Sequence, residues 1–178
     1  VCDINEERAS KIADEYDVPY FTDYKQIPTN TYAEAVIINL PHGLHCECTL
    51  FFLCAGLHVL LEKPMANTVN ECDTMIRAEK ESRGRLAIGH IQRFFKANKI
   101  VKDYVSEGKL FAINEIRSIN YFSEDRPVWF FSKKMAGGGI VMNYGAHALD
   151  KFIYVTGEHI EDISSVCDNL LSDKEIEG

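Results

Sequence analysis

Five side chains in this sequence could carry acid–base chemistry together. Glu62 and Lys63 directly follow the apolar run Val59-Leu60-Leu61. Asn143 and His147 stand four residues apart, and Asp150 comes three residues later. On a helix that spacing puts Asn143 and His147 on one face, with Asp150 near the same stripe. An imidazole whose ordinary pKa is near 6.5 takes up a proton at neutral pH. A lysine amine hydrogen-bonds a reacting oxygen and, once out of water, gives up its own proton more easily. Removing a hydroxyl proton needs a base of this kind.

The elements that must position these groups follow from pattern. Val59 to Leu61, between Gly56 and Pro64, has the continuous apolar character of a strand buried on both faces. In an open parallel sheet, ligands lie beyond the carboxyl ends of the strands, where Glu62 and Lys63 emerge. Ala35 to Asn39 and Leu86 to Gly89 read as companion strands, and Val18 to Phe21 as a shorter one. A helix over 46–55 is closed by Gly56. Thr68 and Glu71 form a capping-box pair that opens a helix to about Glu81. Asn5 caps a helix through Ile12, Asp23 to Gln26 form a helical turn, and 28–30 form a connection. Residues 96–107 have helical periodicity, and Gly108 ends it. From Leu110 the texture changes: 111–121 alternates with period two, as in an antiparallel or mixed sheet with one solvated face. Ile160 to Leu171 suggests one more strand. The boundary falls near residue 95, giving domains of 1–95 and 96–178.

Glu62-Lys63-Pro64 after a strand, Gly137-Gly138-Gly139, and Asn143-Tyr144-Gly145-Ala146-His147-Ala148-Leu149-Asp150 resemble, in order and spacing across nearly the whole chain, the Gfo/Idh/MocA oxidoreductases. The resemblance implies an α/β fold. A Rossmann-like parallel sheet comes first, without its opening βαβ turn, and an α+β domain with a mixed, mostly antiparallel sheet follows. It also implies hydride transfer between NAD, or less readily NADP, and a hydroxyl or keto group of a sugar, cyclitol or related polyol. Lys63 and His147 take the catalytic positions. Asn143, Arg93, Trp129 and Asp150 fall at substrate positions, with Arg93 set either to clamp substrate or to pair with Glu62. Asp3, Asn39, Pro41, His45, Glu62, Lys63 and Gln92 fall at cofactor positions. Asp3 would accept the adenosine ribose hydroxyls, which favours NAD over its 2′-phosphate. The Lys63–Pro64 bond is expected to be cis. This chain departs at Asn143, where better-known members carry aspartate; an amide orients a hydroxyl but takes no proton.

Bulk properties narrow the classes. A chain of 178 residues with 46% hydrophobic and 26% charged residues can bury a core. A net charge of −8 with scattered Lys and Arg argues against nucleic acid as a partner. No apolar run approaches the roughly 18 residues of a membrane span. The six cysteines, set within expected strands and helices, read as reduced thiols of a cytoplasmic protein. His42, His45, Cys46 and Cys48 lack the second ligand pair of a structural zinc site, so no metal is expected. A homo-oligomer built through the second domain's sheet is expected. The resemblance, whose members continue with several more strands, implies a chain cut short at its end, and the absence of any G-x-G-x-x-G suggests one cut short at its start. That absence also leaves a non-catalytic dinucleotide sensor, or an inactive fragment, as the rival reading.

Overall fold

The computed structural model describes residues 1–110, 112–120, 126–168 and 176. Strands β1 (Ala35–Ile38), β2 (His58–Leu61) and β3 (Leu86–Ile88) form a parallel sheet in that order. Ala35 lies opposite His58, and Leu61 opposite Ile88. Parallel neighbours need long crossovers, which the helices His45–Cys54 and Val69–Glu81 supply. Gly56, at φ 82°, turns the chain after the first of these helices. The second starts on a complete capping box: the Glu71 N–H donates to Thr68 Oγ1 at 3.2 Å, and the Thr68 N–H to Glu71 Oε2 at 3.0 Å.

The core is one-sided. Val59 and Leu61 are buried with Phe52, Leu53 and Met75, under the two crossover helices. Full burial of a leucine such as Leu61 contributes about 2 kcal/mol. Leu60, between them, is 42% exposed, and Ile37 on β1 is 68% exposed. The expectation that β2 is buried on both faces is therefore corrected. An apolar run records what a strand can bury, whereas the described residues place helices against one face only.

Asn5 Oδ1 accepts the Arg8 N–H at 2.9 Å and opens the helix Glu6–Tyr16. The expected strand over 18–21 reduces to a single parallel bridge between Cys2 and Phe21. The expected connection at 28–30 is part of a short helix, Ile27–Asn30.

The helices Lys96–Ser106 and Ala146–Thr156 pack together in the second half. Residues 112–120 show no regular structure, although their sequence alternates. Alternation specifies a strand only when a neighbour supplies the ladder, and none does among the described residues. Residues 160–168 are likewise irregular; Phe111, Tyr121 and 169–171 lie outside the described residues. Among the described residues no helix is long and apolar enough to cross a membrane.

One glycine decides how the last helix is reached. Gly137 sits at φ 78°, and a Cβ there would lie 2.2 Å from Asn67 Oδ1. Asn67 in turn donates from Nδ2 to the Lys134 carbonyl at 3.2 Å. The chain then passes through a π-turn, Val141–Gly145, into the helix Ala146–Thr156.

Candidate active site

The carboxyl end of β2 and the amino-terminal part of the last helix face one another across a cleft of about 310 Å³. The strand delivers Glu62 and Lys63, and the next peptide bond, Lys63–Pro64, is cis. Glu62 Oε2 accepts the Lys63 N–H at 3.2 Å. Gly89 leaves room for this carboxylate, because a Cβ at that position would come within 3.2 Å of Glu62 Oε1. The Lys63 ammonium crosses the cleft and donates to Asn143 Oδ1 at 2.6 Å and to the Asn143 carbonyl at 3.2 Å. Burial pushes the Lys63 amine below its usual range; the nearby Glu62 charge opposes this and Arg126 adds to it.

His147 lines the same cleft, and its Nδ1 is sealed from solvent with no hydrogen-bond partner. That leaves Nε2 as the nitrogen able to reach a substrate. Burial lowers the His147 pKa first, and the Lys63 and His90 charges lower it further, against weaker pulls from Glu62 and Asp150. The ring is therefore neutral at neutral pH, a base in its working form.

Trp129 also lines the cleft, held edge-on by His42 at 5.2 Å between ring centroids. His42 is buried and donates from Nδ1 to the Ala136 carbonyl at 2.8 Å, which ties the loop after β1 to the turn before the last helix. In the sequence His42 reads only as a candidate zinc ligand; its place between Pro41 and His45 is the available signal. Arg126, another wall residue, lies over the Phe130 ring at 5.1 Å, and no motif in its sequence surroundings marks it.

Of the residues expected to form the site, the structure brings Asn39, Glu62, Lys63, Trp129, Asn143 and His147 together. Arg93 and Asp150 are placed elsewhere. Arg93 forms a forked ion pair with Asp150, Nε lying 3.0 and 2.9 Å from its two oxygens and Nη2 2.5 Å from Oδ1. The alternative pairing with Glu62 is thus corrected: Asp150 is the nearer carboxylate, and the fork matches a carboxylate's geometry. The pair does not line the cleft, although His90 Nδ1 lies 3.6 Å from Asp150 Oδ2.

His45, assigned to the cofactor by resemblance, is 0% exposed. Its Nδ1 lies 2.8 Å from the Pro64 carbonyl and its Nε2 2.8 Å from the Leu40 carbonyl. It braces the loops after β1 and β2 from beneath, so the expected cofactor contact of His45 is corrected to a structural one: a buried ring with both nitrogens held by carbonyls has none left for a ligand. Pro41 caps the short turn His42–Leu44 between the cleft residues Leu40 and His42. Gln92 lies outside the cleft wall, its carbonyl accepting the Asn98 amide at 2.7 Å.

Asp3 borders a second cavity of about 560 Å³, which runs along β1. Its oxygens accept the Asn5 N–H at 2.8 Å and Arg8 Nη1 at 2.9 Å. The two cavities share Asn39 and Leu40, at the carboxyl end of β1. Among the described residues no three His, Cys, Asp or Glu side chains converge as metal ligands.

Comparison with known proteins finds relatives over both halves of the chain. Residues 1–90 match the family described as oxidoreductase family, NAD-binding Rossmann fold, and residues 99–177 match the GFO/IDH/MocA C-terminal domain. Scyllo-inositol 2-dehydrogenase (NADP(+)) IolW of Bacillus subtilis is 31% identical over 134 residues, 75% of this chain and 37% of that protein. Aldose-aldose oxidoreductase from Caulobacter crescentus, solved with glycerol, is 30% identical with a TM-score of 0.75, over 88% of this chain and 49% of that one. The WlbA dehydrogenase of Bordetella pertussis, solved with NADH and UDP-GlcNAcA, is 25% identical with a TM-score of 0.75, over 86% and 46%. The chain thus spans half or less of the length of these relatives.

Proposed function

The chain belongs to the Gfo/Idh/MocA oxidoreductase family, and we propose that it moves hydride between a nicotinamide dinucleotide and a CH–OH or keto carbon of a sugar, cyclitol or related polyol. The observation that carries this reading is the meeting of Lys63, Asn143 and His147 in one cleft at the carboxyl end of β2. The dinucleotide supplies a hydride acceptor or donor at its nicotinamide. All other steps fall to side chains. Lys63 donates a hydrogen bond to the reacting oxygen. His147 takes the hydroxyl proton at Nε2 in oxidation and returns it in reduction, its Nδ1 keeping the ring proton. Glu62 accepts the nicotinamide ribose hydroxyls, and Trp129 covers the apolar face of the sugar.

Asp3 favours NAD, since a 2′-phosphate meets a like charge there, although Arg8 is paired to that carboxylate and is the cation nearest to it. Titration of cofactor fluorescence tests this choice: NADH is expected to bind at least tenfold more tightly than NADPH, and the reverse order overturns it. We place the domain division near residue 95 and assembly on the second half, whose Ile113, Ile116 and Ile119 are exposed. A cytoplasmic site is supported by the six free thiols.

Turnover is the test of the function. Reduction of NAD by at least one member of a panel of inositols, aldoses and anhydrosugars supports the proposal. Saturable NADH binding without turnover on any of them contradicts it.

A further inference from the structure

The winding of the last helix changes where it meets Lys63. Val141–Gly145 is a π-turn, followed by regular α-helix from Ala146. Isolated π-turns are rare and concentrate at functional positions, because the extra residue loosens the local ladder. Asn143 lies within this turn, 5% exposed, and both its oxygens face one atom. Lys63 Nζ lies 2.6 Å from Oδ1 and 3.2 Å from the main-chain carbonyl of the same residue. An ammonium has only hydrogens to offer, so the chemistry fixes the amide orientation: oxygen toward Lys63, NH₂ away from it. Asn143 thereby fastens the end of β2 to the helix that carries His147.

Among the described residues the charges around Lys63 are few. Glu62 precedes it in the chain, Arg126 comes from the opposite wall, and His42, His90 and His147 lie close enough to interact with its charge. Burial holds all three imidazoles toward the neutral form. Among the described residues one carboxylate, Glu62, therefore faces the amine, and its hydrogen bond goes to the Lys63 backbone N–H.

We propose that Asn143 is the positioning residue of Lys63: its two neutral oxygens fix the amine beside His147 without locking it as a cation, and so set the pH at which Lys63 changes charge. This assigns Asn143 to the lysine rather than to the substrate, and it rests on reading the cleft as the site of hydride exchange. A carboxylate at the same position forms a direct ion pair with the ammonium and raises its pKa.

The test reads Lys63 directly. The intact protein is labelled with trace acetic anhydride across a pH series, and modification of Lys63 is followed by mass spectrometry. Asn143→Asp, which is isosteric, is expected to move the Lys63 midpoint upward by about one pH unit or more, in the range an opposite charge produces. Asn143→Ala is expected to change Lys63 reactivity relative to the surface lysines at fixed pH, and to lower kcat with little change in polyol KM. If Asn143→Asp does not fold, the alanine variant decides on reactivity alone. An unchanged midpoint in the aspartate variant, or a raised KM with an unaltered pH profile, overturns the proposal. A shifted midpoint in a protein that turns over no polyol supports the positioning role while refuting the proposed reaction, so the two failures are distinguishable.

Discussion

In the proposed reaction Lys63 and His147 divide the work, because their surroundings push them in complementary ways. Both are partly withdrawn from water, which favours the neutral form of each. For His147 this means a lone pair is available at neutral pH; for Lys63 it means a proton that is readily passed. Replacing His147 with Gln is expected to lower kcat by about 10²–10⁴-fold with cofactor affinity retained, measured by turnover alongside NADH titration. Replacing Lys63 with Met is expected to lower kcat similarly. In the oxidative direction the rate is expected to rise with pH at a midpoint below the ordinary histidine value of about 6.5, because the base works unprotonated. These two residues were legible in the sequence through their motifs. The Arg93–Asp150 pair was not, because the motif named both residues without saying that they satisfy each other 57 positions apart.

At the scale of elements, the sequence was most informative where signals are local. The Thr68–Glu71 capping box and Gly56 after the helix His45–Cys54 are short-range patterns, and both are present. Parallel strands β1 to β3 were readable from composition, but their one-sided burial was not, because an apolar run carries no record of what covers it. The alternating stretch 112–120 misled for the same reason: a ladder is a property of two segments. His45 reads as a ligand contact by position, and only the fold shows its ring braced between the Leu40 and Pro64 carbonyls. Gly137 is the element-scale residue with the sharpest consequence. A methyl group there meets Asn67 while the backbone holds φ 78°, so Gly137→Ala is expected to destabilise by at least about 1 kcal/mol. Thermal unfolding measures this, and kcat should fall with it because the turn aims Asn143 and His147. An unchanged melting temperature would show that the turn relaxes freely.

For the molecule as a whole, the two halves meet at ionisable groups, and this links acidity to stability. His42 joins the loop after β1 to Ala136, while His90 and His147 sit near the junction of sheet and last helix. All three have folded-state pKa values below the unfolded value of about 6.5, chiefly through burial. The unfolded chain thus binds more protons as pH falls through 6.5 toward the depressed values. Their contribution is complete above about pH 6.5 and is lost on acidification through that window. Denaturant unfolding at a series of pH values is expected to show this loss, and His42→Asn is expected to flatten it. Equal slopes in both proteins would remove His42 from the account.

The central claim is that the cleft between β2 and the last helix passes hydride to or from a nicotinamide. Its most direct measurement is isotope transfer, with inositols and sugars deuterated at carbon incubated with the protein and NAD, and the recovered cofactor weighed by mass spectrometry. The account predicts deuterium in the reduced cofactor with the native protein, strongly diminished with Lys63→Met and His147→Gln. Cofactor that binds the native protein yet acquires no label from any of these substrates would contradict it.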